Sequence, residues 1–275
     1  MDISKGRYWD KPWSLVSSCT RCSEGCRSCW SLAMEKRFHK GIEGTIITHP
    51  ERLMIPYRRR KPTTYSLWND WGHESVTDHF RLLAVQTARD LPRHTFLVLT
   101  KRPKKAADFW INYDGGSPPT NWWSGLTICN QQEADEKIPI FLQVPGRKFF
   151  SIEPMLGEID LLYPAFDGSE SFSAMGRIDA VILGGETGPG ARPLHPDWVR
   201  SVRDQCQNAG VPFFFKQWGE WAPSPDGGLP DHLPSSAGYY FAAPDPPGKV
   251  WRFGRKTAGR LLDGRTHDDL PWVKV

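Results

Sequence analysis

The sequence predicts an α/β fold in which a parallel sheet closes into a (β/α) barrel or a partial barrel of the TIM type. Three observations support this fold class. Short apolar runs, typical of strands buried on both faces, alternate with segments of helical periodicity. Most of these runs end in polar residues, as the strands of barrel enzymes do. The length of 275 residues suits one such barrel.

In chain order, seven apolar runs predict seven strands. The first, at 13–16, follows an extended entry segment and leads directly into a cysteine-rich loop. The other strands are predicted at 65–68, 95–100, 121–128, 148–152, 179–183 and 211–215. Helical periodicity and stop signals predict helices at 30–38, 78–84, 106–110, 132–138 and 197–209. Strands and helices that alternate in this way form βαβ units with right-handed crossovers.

Composition narrows the class of protein. We predict one domain over residues 1–275, with a Pro- and Gly-rich loop at 222–250 and a C-terminal tail. The chain has no apolar run as long as a membrane span and no apolar secretion signal at its N-terminus. We therefore expect a cytoplasmic protein with free or metal-bound thiols, among which Cys129 and Cys206 are ordinary buried ones. The net charge of +4 permits an anionic partner without requiring one.

Four of the six cysteines stand close together, at Cys19, Cys22, Cys26 and Cys29. Thiolates are soft ligands, and this density in a reducing compartment indicates zinc or an iron–sulfur cluster. A zinc ribbon normally has a longer loop between its two cysteine pairs. Three of these cysteines suffice to hold a four-iron cluster with one open iron, spaced C-x6-C-x2-C from Cys19 or C-x3-C-x2-C from Cys22. A structural metal knuckle or a redox-active thiol pair is the alternative.

The predicted strand ends carry a second set of candidate residues. In a barrel these ends share one edge, where the chemistry takes place. The polar groups there are Asn69 and Asp70, Lys101 and Arg102, Asn130 and Gln131, Glu153, Glu186, and Lys216 and Gln217. A structural protein has no need of a polar group at nearly every strand end, so this pattern favours an enzyme.

Several motifs together resemble a phage-associated family of unknown function with a three-cysteine motif, itself similar to a divergent branch of the radical S-adenosylmethionine (SAM) superfamily. Beside the cysteines, they are Ser-Ile-Glu-Pro at 151–154, Gly-Gly-Glu-Thr-Gly-Pro at 184–189, Ala-Arg-Pro at 191–193, Phe-Phe-Lys-Gln-Trp-Gly at 214–219 and Ala-Gly-Arg-Leu-Leu-Asp-Gly at 258–264. The family spacing implies Cys19, Cys26 and Cys29 as cluster ligands. The usual spacing of the superfamily favours Cys22 as the first ligand instead.

The resemblance implies a 4Fe-4S cluster and SAM as cofactors, and cleavage of SAM to a radical that abstracts hydrogen from a substrate. Trp30 would cover the adenine, Gly184 and Gly185 would let the backbone approach SAM, and Glu186 would contact its ammonium group. Glu153 and Arg192 are further candidates for SAM binding, and Lys216 and Asp70 are candidate catalytic residues. Each has a structural alternative: a plain turn at 184–186, a helix cap by Glu153, carboxylate partners for Lys216 and Arg192, and a hydrogen bond between Asp70 and His73.

Partners follow from the same resemblance. We expect an electron donor of the flavodoxin or ferredoxin type, and a location in the host cytoplasm if the protein is phage-encoded. The expected substrate is DNA or a modified nucleotide whose hypermodified base undergoes isomerisation or rearrangement. The basic runs at 58–61, 101–105 and 255–256 would form a collar for phosphates if they converge on the barrel mouth. The alternative from another class is a non-catalytic, zinc-binding nucleic-acid-binding protein.

Overall fold

In the computed structural model, which describes residues 1–34, 44–112, 117–163, 172–224, 238–240 and 249–273, seven strands form one parallel sheet that curves into a half-barrel. Each strand pairs with the next one in the sequence, so all carboxyl ends lie on one edge. The strands are β1 (Lys11–Trp13), β2 (Thr64–Leu67), β3 (Thr95–Thr100), β4 (Trp122–Thr127), β5 (Arg147–Ile152), β6 (Ala180–Gly184) and β7 (Phe213–Gln217). The predicted fold class, a partial parallel barrel, is confirmed.

The described part of the chain has six α-helices, of which the four longest pack against the sheet. The six helices are α1 (Trp30–Met34), α2 (Asp78–Asp90), α3 (Pro103–Asn112), α4 (Gln131–Phe141), α5 (Pro196–Ala209) and α6 (Arg255–Ala258). Thr77 and Asn130 cap α2 and α4 by accepting backbone N–H groups of their first turns, and Gly210 ends α5 at a φ of 67°. The predicted helix at 30–38 is observed to Met34; its remaining residues lie outside the described part of the chain.

Shorter strands lie outside the sheet. Val16–Ser17 pairs with Ile47–Thr48, Leu162–Tyr163 pairs with Phe172–Ser173, and Lys249–Arg252 lies between Trp221–Ala222 and Gly238–Tyr240. Within the loop predicted at 222–250, the described residues 222, 238–240 and 249–250 belong to these short strands, whereas 223–224 belong to none. Residues 225–237 and 241–248 of that loop lie outside the described part.

The bounds of two predicted strands shift by two or more residues, and those of four others shift by one residue. The strand predicted at 13–16 ends at Trp13, where the chain bends away from the sheet. Arg52 stabilises this bend through two hydrogen bonds: Trp13 Nε1 donates to the Arg52 carbonyl, and Arg52 Nη1 donates to the Ser14 carbonyl. The last strand begins at Phe213 rather than at 211, after Pro212, which has no N–H to donate. Lys216 therefore belongs to β7 itself.

The concave face of the half-barrel has its own apolar core. Leu97, Trp123, Phe149, Ile182 and Phe214 point into it, and Tyr8, Leu270 and Trp272 fill it from the two ends of the chain. Burying each such side chain contributes about 1.5–3 kcal/mol. Strand side chains alternate between faces, so Lys101, Cys129, Glu153 and Lys216 continue this face toward the carboxyl edge. No helix among the described residues is long and apolar enough to cross a membrane.

Candidate functional site

The cysteine loop, residues 19–29, lies on the carboxyl edge of the sheet between the Val16–Ser17 strand and α1. Its middle is a helical turn, Glu24–Cys26, with Gly25 buried. A Cβ at Gly25 would lie 2.3 Å from the Cys129 Sγ, so only glycine lets the loop rest on this thiol. Cys129 follows β4 and is fully buried. The loop is therefore seated against the end of a central strand.

The loop sulfurs influence one another. A hydrogen bond from Cys22 lowers the pKa of Cys26 to about 4, and the same bond raises the pKa of Cys22. Burial, followed by the Asp70 carboxylate, raises the pKa of Cys19 to about 11. The Ser23 Oγ lies 3.7 Å from the Cys26 Sγ. Within the described ranges, no three His, Cys, Asp or Glu side chains are already gathered as metal ligands.

Asp70 and Arg102 hold the first arm of the loop. Arg102 Nη1 donates to Asp70 Oδ2 at 2.7 Å, and both side chains are at least nine-tenths buried. Arg102 Nη2 also donates to the carbonyl and the hydroxyl of Thr20, at 3.1 and 2.7 Å, while its Nη1 lies 3.8 Å from the Cys19 Sγ. Asp70 is saturated by further bonds from Gly72, Thr100 and Lys101. The structure thus brings Asp70 to the site as an anchor of Arg102.

His73 reaches the same arm. Its Nδ1 accepts the Ser75 N–H at 3.1 Å, which leaves Nε2 to donate to the Thr20 Oγ1 at 2.8 Å. Burial lowers the pKa of His73, in keeping with this neutral form. The side-chain hydrogen bond between Asp70 and His73 that the sequence suggested is replaced by these two contacts.

Glu186 and Arg192 hold the second arm. Glu186 accepts three bonds from Arg192: from its backbone N–H at 2.8 Å, from Nε at 2.9 Å and from Nη2 at 2.7 Å. Arg192 Nη2 also donates to the Glu24 carbonyl at 3.0 Å, and Ser28 donates to Glu186. Burial opposes the charge of Glu186, but the bonds from Arg192 hold the pKa of its carboxyl below the ordinary value. Both residues are brought to the site, where they support the loop.

Lys101 lies beneath the loop, with its Nζ 3.8 Å from the Cys129 Sγ. Burial disfavours its charge, but the negative charge that Cys129 and Cys26 carry as thiolates holds the pKa of Lys101 above its ordinary value. Burial raises the pKa of Cys129 to about 11. Sequence reasoning missed Cys129 as a site residue. Its position directly after a strand was the signal available for it.

A second polar group lies further across the concave face. Glu153 forms an ion pair with Lys216, and it accepts hydrogen bonds from Ser151 at 3.1 Å and from Tyr8 at 3.3 Å. The Lys216 Nζ lies 5.5 Å from the centre of the Tyr8 ring. Glu153 thus has an ion-pair partner rather than a helix to cap. Tyr8 was not foreseen, because nothing local marks a residue that reaches the site from the entry segment.

Trp30 and the two glycines lie in different surroundings. Trp30 is 49% exposed and packs edge-on against Trp68, with 4.8 Å between ring centres. A Cβ at Gly185 would lie 1.9 Å from the Trp218 carbonyl oxygen, so this glycine permits an approach of two backbones within the protein. A Cβ at Gly184 would make ordinary contacts, at 3.5 Å from the Lys216 Cβ.

The basic run at 58–61 does not join the expected basic collar. Arg59 donates from Nε to the Thr63 Oγ1 at 3.0 Å, and its carbonyl accepts bonds from Arg93 and His94. These residues precede β2 and β3, so the run at 58–61 lies at the amino edge, opposite the cysteine loop. Lys101 and Arg102 are turned toward the loop rather than outward. Distant basic runs converge only if the topology brings them to one edge, and here it separates the run at 58–61 from Lys101 and Arg102.

Comparison with known proteins gives one match. The model of a family described as "Protein of unknown function (DUF5131)" matches residues 4–271. No curated protein and no solved structure matches the chain.

Proposed function

The chain belongs to DUF5131, a family of unknown function, and we propose that it is a radical SAM enzyme that carries a 4Fe-4S cluster on the cysteine loop. One observation carries the proposal: four thiols lie on a loop fixed at both arms to the carboxyl edge of a parallel half-barrel. This is the edge at which barrel enzymes carry their chemistry. The loop follows β1 and the short Val16–Ser17 strand, and the cationic side chains of Arg102 and Lys101 lie near its sulfurs.

The residues present fit such a cluster by their chemistry. Thiolate ligands need nearby positive charge, and Arg102 lies 3.8 Å from the Cys19 sulfur while Lys101 lies under Cys26 and Cys129. Cys19, Cys26 and Cys29 would hold the cluster, with Cys22 as the rival for the first place. When bound, the cluster supplies one-electron reduction of the SAM sulfonium, which starts hydrogen abstraction from an unactivated carbon. Charge and hydrogen bonds around the sulfurs set how readily the electron is accepted.

The protein's own residues then bind and orient. Lys216 and Glu153 present an ammonium and a carboxylate on the concave face, where Tyr8 fixes the carboxylate. Such a pair suits a ligand with an acceptor and a donor side by side, such as the amino-acid part of SAM or the edge of a base. The apolar side chains below them, among them Phe214 and Ile182, exclude water from that side.

Partners and location complete the proposal. One electron per turnover requires a donor of the flavodoxin or ferredoxin type. The substrate is a nucleic-acid base, as free modified nucleotide or within DNA, and its reaction is an isomerisation or rearrangement. A reducing cytoplasm, that of the host for a phage-encoded protein, suits the exposed and half-exposed cysteines of the loop.

The test is the metal content of protein purified without oxygen. We expect a brown protein with about four iron and four sulfide per chain, and cleavage of SAM on addition of dithionite. The Cys26→Ala variant should lose iron, and Cys206→Ala, at a buried thiol far from the loop, is the matched control. A colourless protein with one zinc per chain would replace the proposal with the zinc-binding alternative.

A further inference from the structure

We propose that Arg7, Trp9, Trp68 and Trp30, the aromatic row, form a stacking surface for unpaired bases of a single-stranded nucleic acid. The inference rests on the proposed function, because it names the class of substrate presented to the cysteine loop. Trp30 directly follows Cys29, so a base on this indole lies beside the loop. Trp30 is the most exposed of the thirteen tryptophans, with about half of its surface open to solvent.

The rings form a continuous series. Trp68 lies edge-on between the other two, with ring centres 4.8 Å from Trp30 and 5.8 Å from Trp9. The Arg7 guanidinium lies over the Trp9 ring at 5.2 Å from its centre. In an edge-to-face pair the edge of one ring covers part of one face of the other, so the remaining faces are the ones open to a base; Trp9 and Trp68 are half-buried and Trp30 is exposed. Three indoles and a guanidinium offer more stacking area than one adenine ring occupies.

The middle of the row is held rigidly. Asn69, the residue after Trp68, has a left-handed backbone with a φ of 65°, which Asn adopts at lower cost than most residues. Its side chain donates to the Val16 carbonyl at 2.6 Å and accepts from the Ser31 hydroxyl, next to Trp30. One residue thus fixes Trp68, the start of α1 and the strand before the cysteine loop. A surface ordered in advance loses less entropy when it binds.

Charge favours a nucleic acid as the occupant. Arg7 and Lys11 are exposed on the segment that carries Trp9, and Arg27 is exposed on the cysteine loop. Asp10, the carboxylate nearest to Arg7 and Lys11 in sequence, is engaged by the Met1 amino group and by the Thr64 N–H, and Glu24, three residues before Arg27, is exposed. Stacking rings flanked by cations bind single strands, because the ring faces take the bases and the cations take the phosphates. A paired duplex would keep its base faces covered.

The experiment measures fluorescence anisotropy of a labelled single strand of about 12 nucleotides with the purified protein, whose iron and sulfide are determined on the same sample. We expect binding that weakens steeply with salt. Trp30→Ala and Trp68→Ala should each weaken it roughly tenfold, since stacking on one aromatic ring has about that value. Trp68→Phe should retain most of the affinity, and Ile111→Ala, at an exposed apolar residue of α3, should leave it unchanged.

Several results would overturn the inference. They are equal affinity of Trp30→Ala, Trp68→Ala and the unaltered protein, no binding at all, tighter binding of the matching duplex, and full competition by equimolar SAM or a mononucleotide. Iron without strand binding would remove this inference and leave the proposed function. Strand binding by a protein that contains zinc or no metal would remove the proposed function and leave this inference. Circular dichroism of each variant separates lost stacking from lost folding.

Discussion

The two arms of the cysteine loop are held by pairs of the same chemistry but different construction. The Asp70–Arg102 pair joins the ends of two strands, is almost fully buried, and reaches the Thr20 carbonyl, the Thr20 hydroxyl and the Cys19 sulfur. The Glu186–Arg192 pair lies within one loop after β6, and Arg192, whose side chain is 25% exposed, reaches a single carbonyl of the cysteine loop. The first pair therefore positions a sulfur, whereas the second supports a turn.

This difference bears on which cysteine would provide the first ligand of the proposed cluster, because Cys19 and Cys22 both precede the turn at Glu24–Cys26. The Cys19 sulfur lies next to the Arg102 guanidinium. Cys22, by contrast, is exposed, and its thiol is hydrogen-bonded to that of Cys26. A ligand whose position is fixed by the surrounding protein costs less to order when the metal binds. The comparison thus favours Cys19, the assignment that the family spacing implies.

The largest expected effect is on the cluster itself. Cys26→Ala and Cys29→Ala should abolish iron binding, because three thiolates are the smallest set that holds a four-iron cluster here. Cys19→Ala should do the same, whereas Cys22→Ala should retain iron. Iron and sulfide analysis of the four variants decides between Cys19 and Cys22 as the first ligand. Iron retained by Cys19→Ala and lost by Cys22→Ala would reverse the comparison.

The next effect is on the buried pair of the first arm. Arg102→Gln should lower the free energy of unfolding by about 3–5 kcal/mol, because it leaves Asp70 charged and buried without its partner. Urea denaturation measures this. The double variant with Asp70→Asn should recover part of the loss, and Lys104→Gln, at an exposed lysine paired with Asp108, is the control. A loss below about 1 kcal/mol would place the pair with ordinary surface contacts.

The second pair should matter less. Arg192→Gln should lower the free energy of unfolding by about 1.5–3 kcal/mol, the value of charge-assisted hydrogen bonds, and leave iron content intact. The Glu186→Gln variant then distinguishes two roles of Glu186, support of the cysteine loop and binding of SAM. If Glu186 also meets the SAM ammonium group, calorimetry should show weaker SAM binding by this variant. Unchanged SAM affinity with reduced stability would assign Glu186 to loop support alone.

The second pair also predicts a pH dependence. The pKa of Glu186 is lowered in the folded protein, so its stabilisation is fully present above the unfolded value of about 4.3. It is lost as the pH falls through the lower folded value. The stability difference between the unaltered protein and Glu186→Gln should therefore shrink with acid below about pH 4.3 and stay constant above about pH 5.5. A difference that grew with acid would contradict the ion pair.

The smallest effect is expected at the amino edge. Arg59→Gln should change the binding of a single strand less than twofold, because the run at 58–61 lies on the edge opposite the cysteine loop. Arg7→Gln, in the aromatic row, is the matched change and should weaken binding several-fold. Equal losses from the two variants would show that both edges contact the strand.

Much of the fold followed from local sequence. The apolar run at 95–100 matches its strand residue for residue, and the other six strands lie within a few residues of their predicted bounds, because a strand buried on both faces is continuously apolar wherever it lies. The place of the cysteine loop after the first strand, and the polar edge at Asp70, Glu186 and Lys216, were predictable for the same reason. Parallel strands joined in sequence must bring their carboxyl ends to one edge.

The partners at that edge were decided by tertiary structure. Arg192 donates to the Glu24 carbonyl although 168 positions separate the two residues. Gly25 packs against the thiol of Cys129, the residue that lies just beyond the end of β4. No local pattern records such contacts, because they depend on how strongly the sheet curves and on which strands bring their ends together. The same curvature sends Tyr8 to Glu153 and keeps the basic run at 58–61 on the far edge. The sequence alone determined which groups reach the edges, and the packing of the half-barrel determined which of them touch.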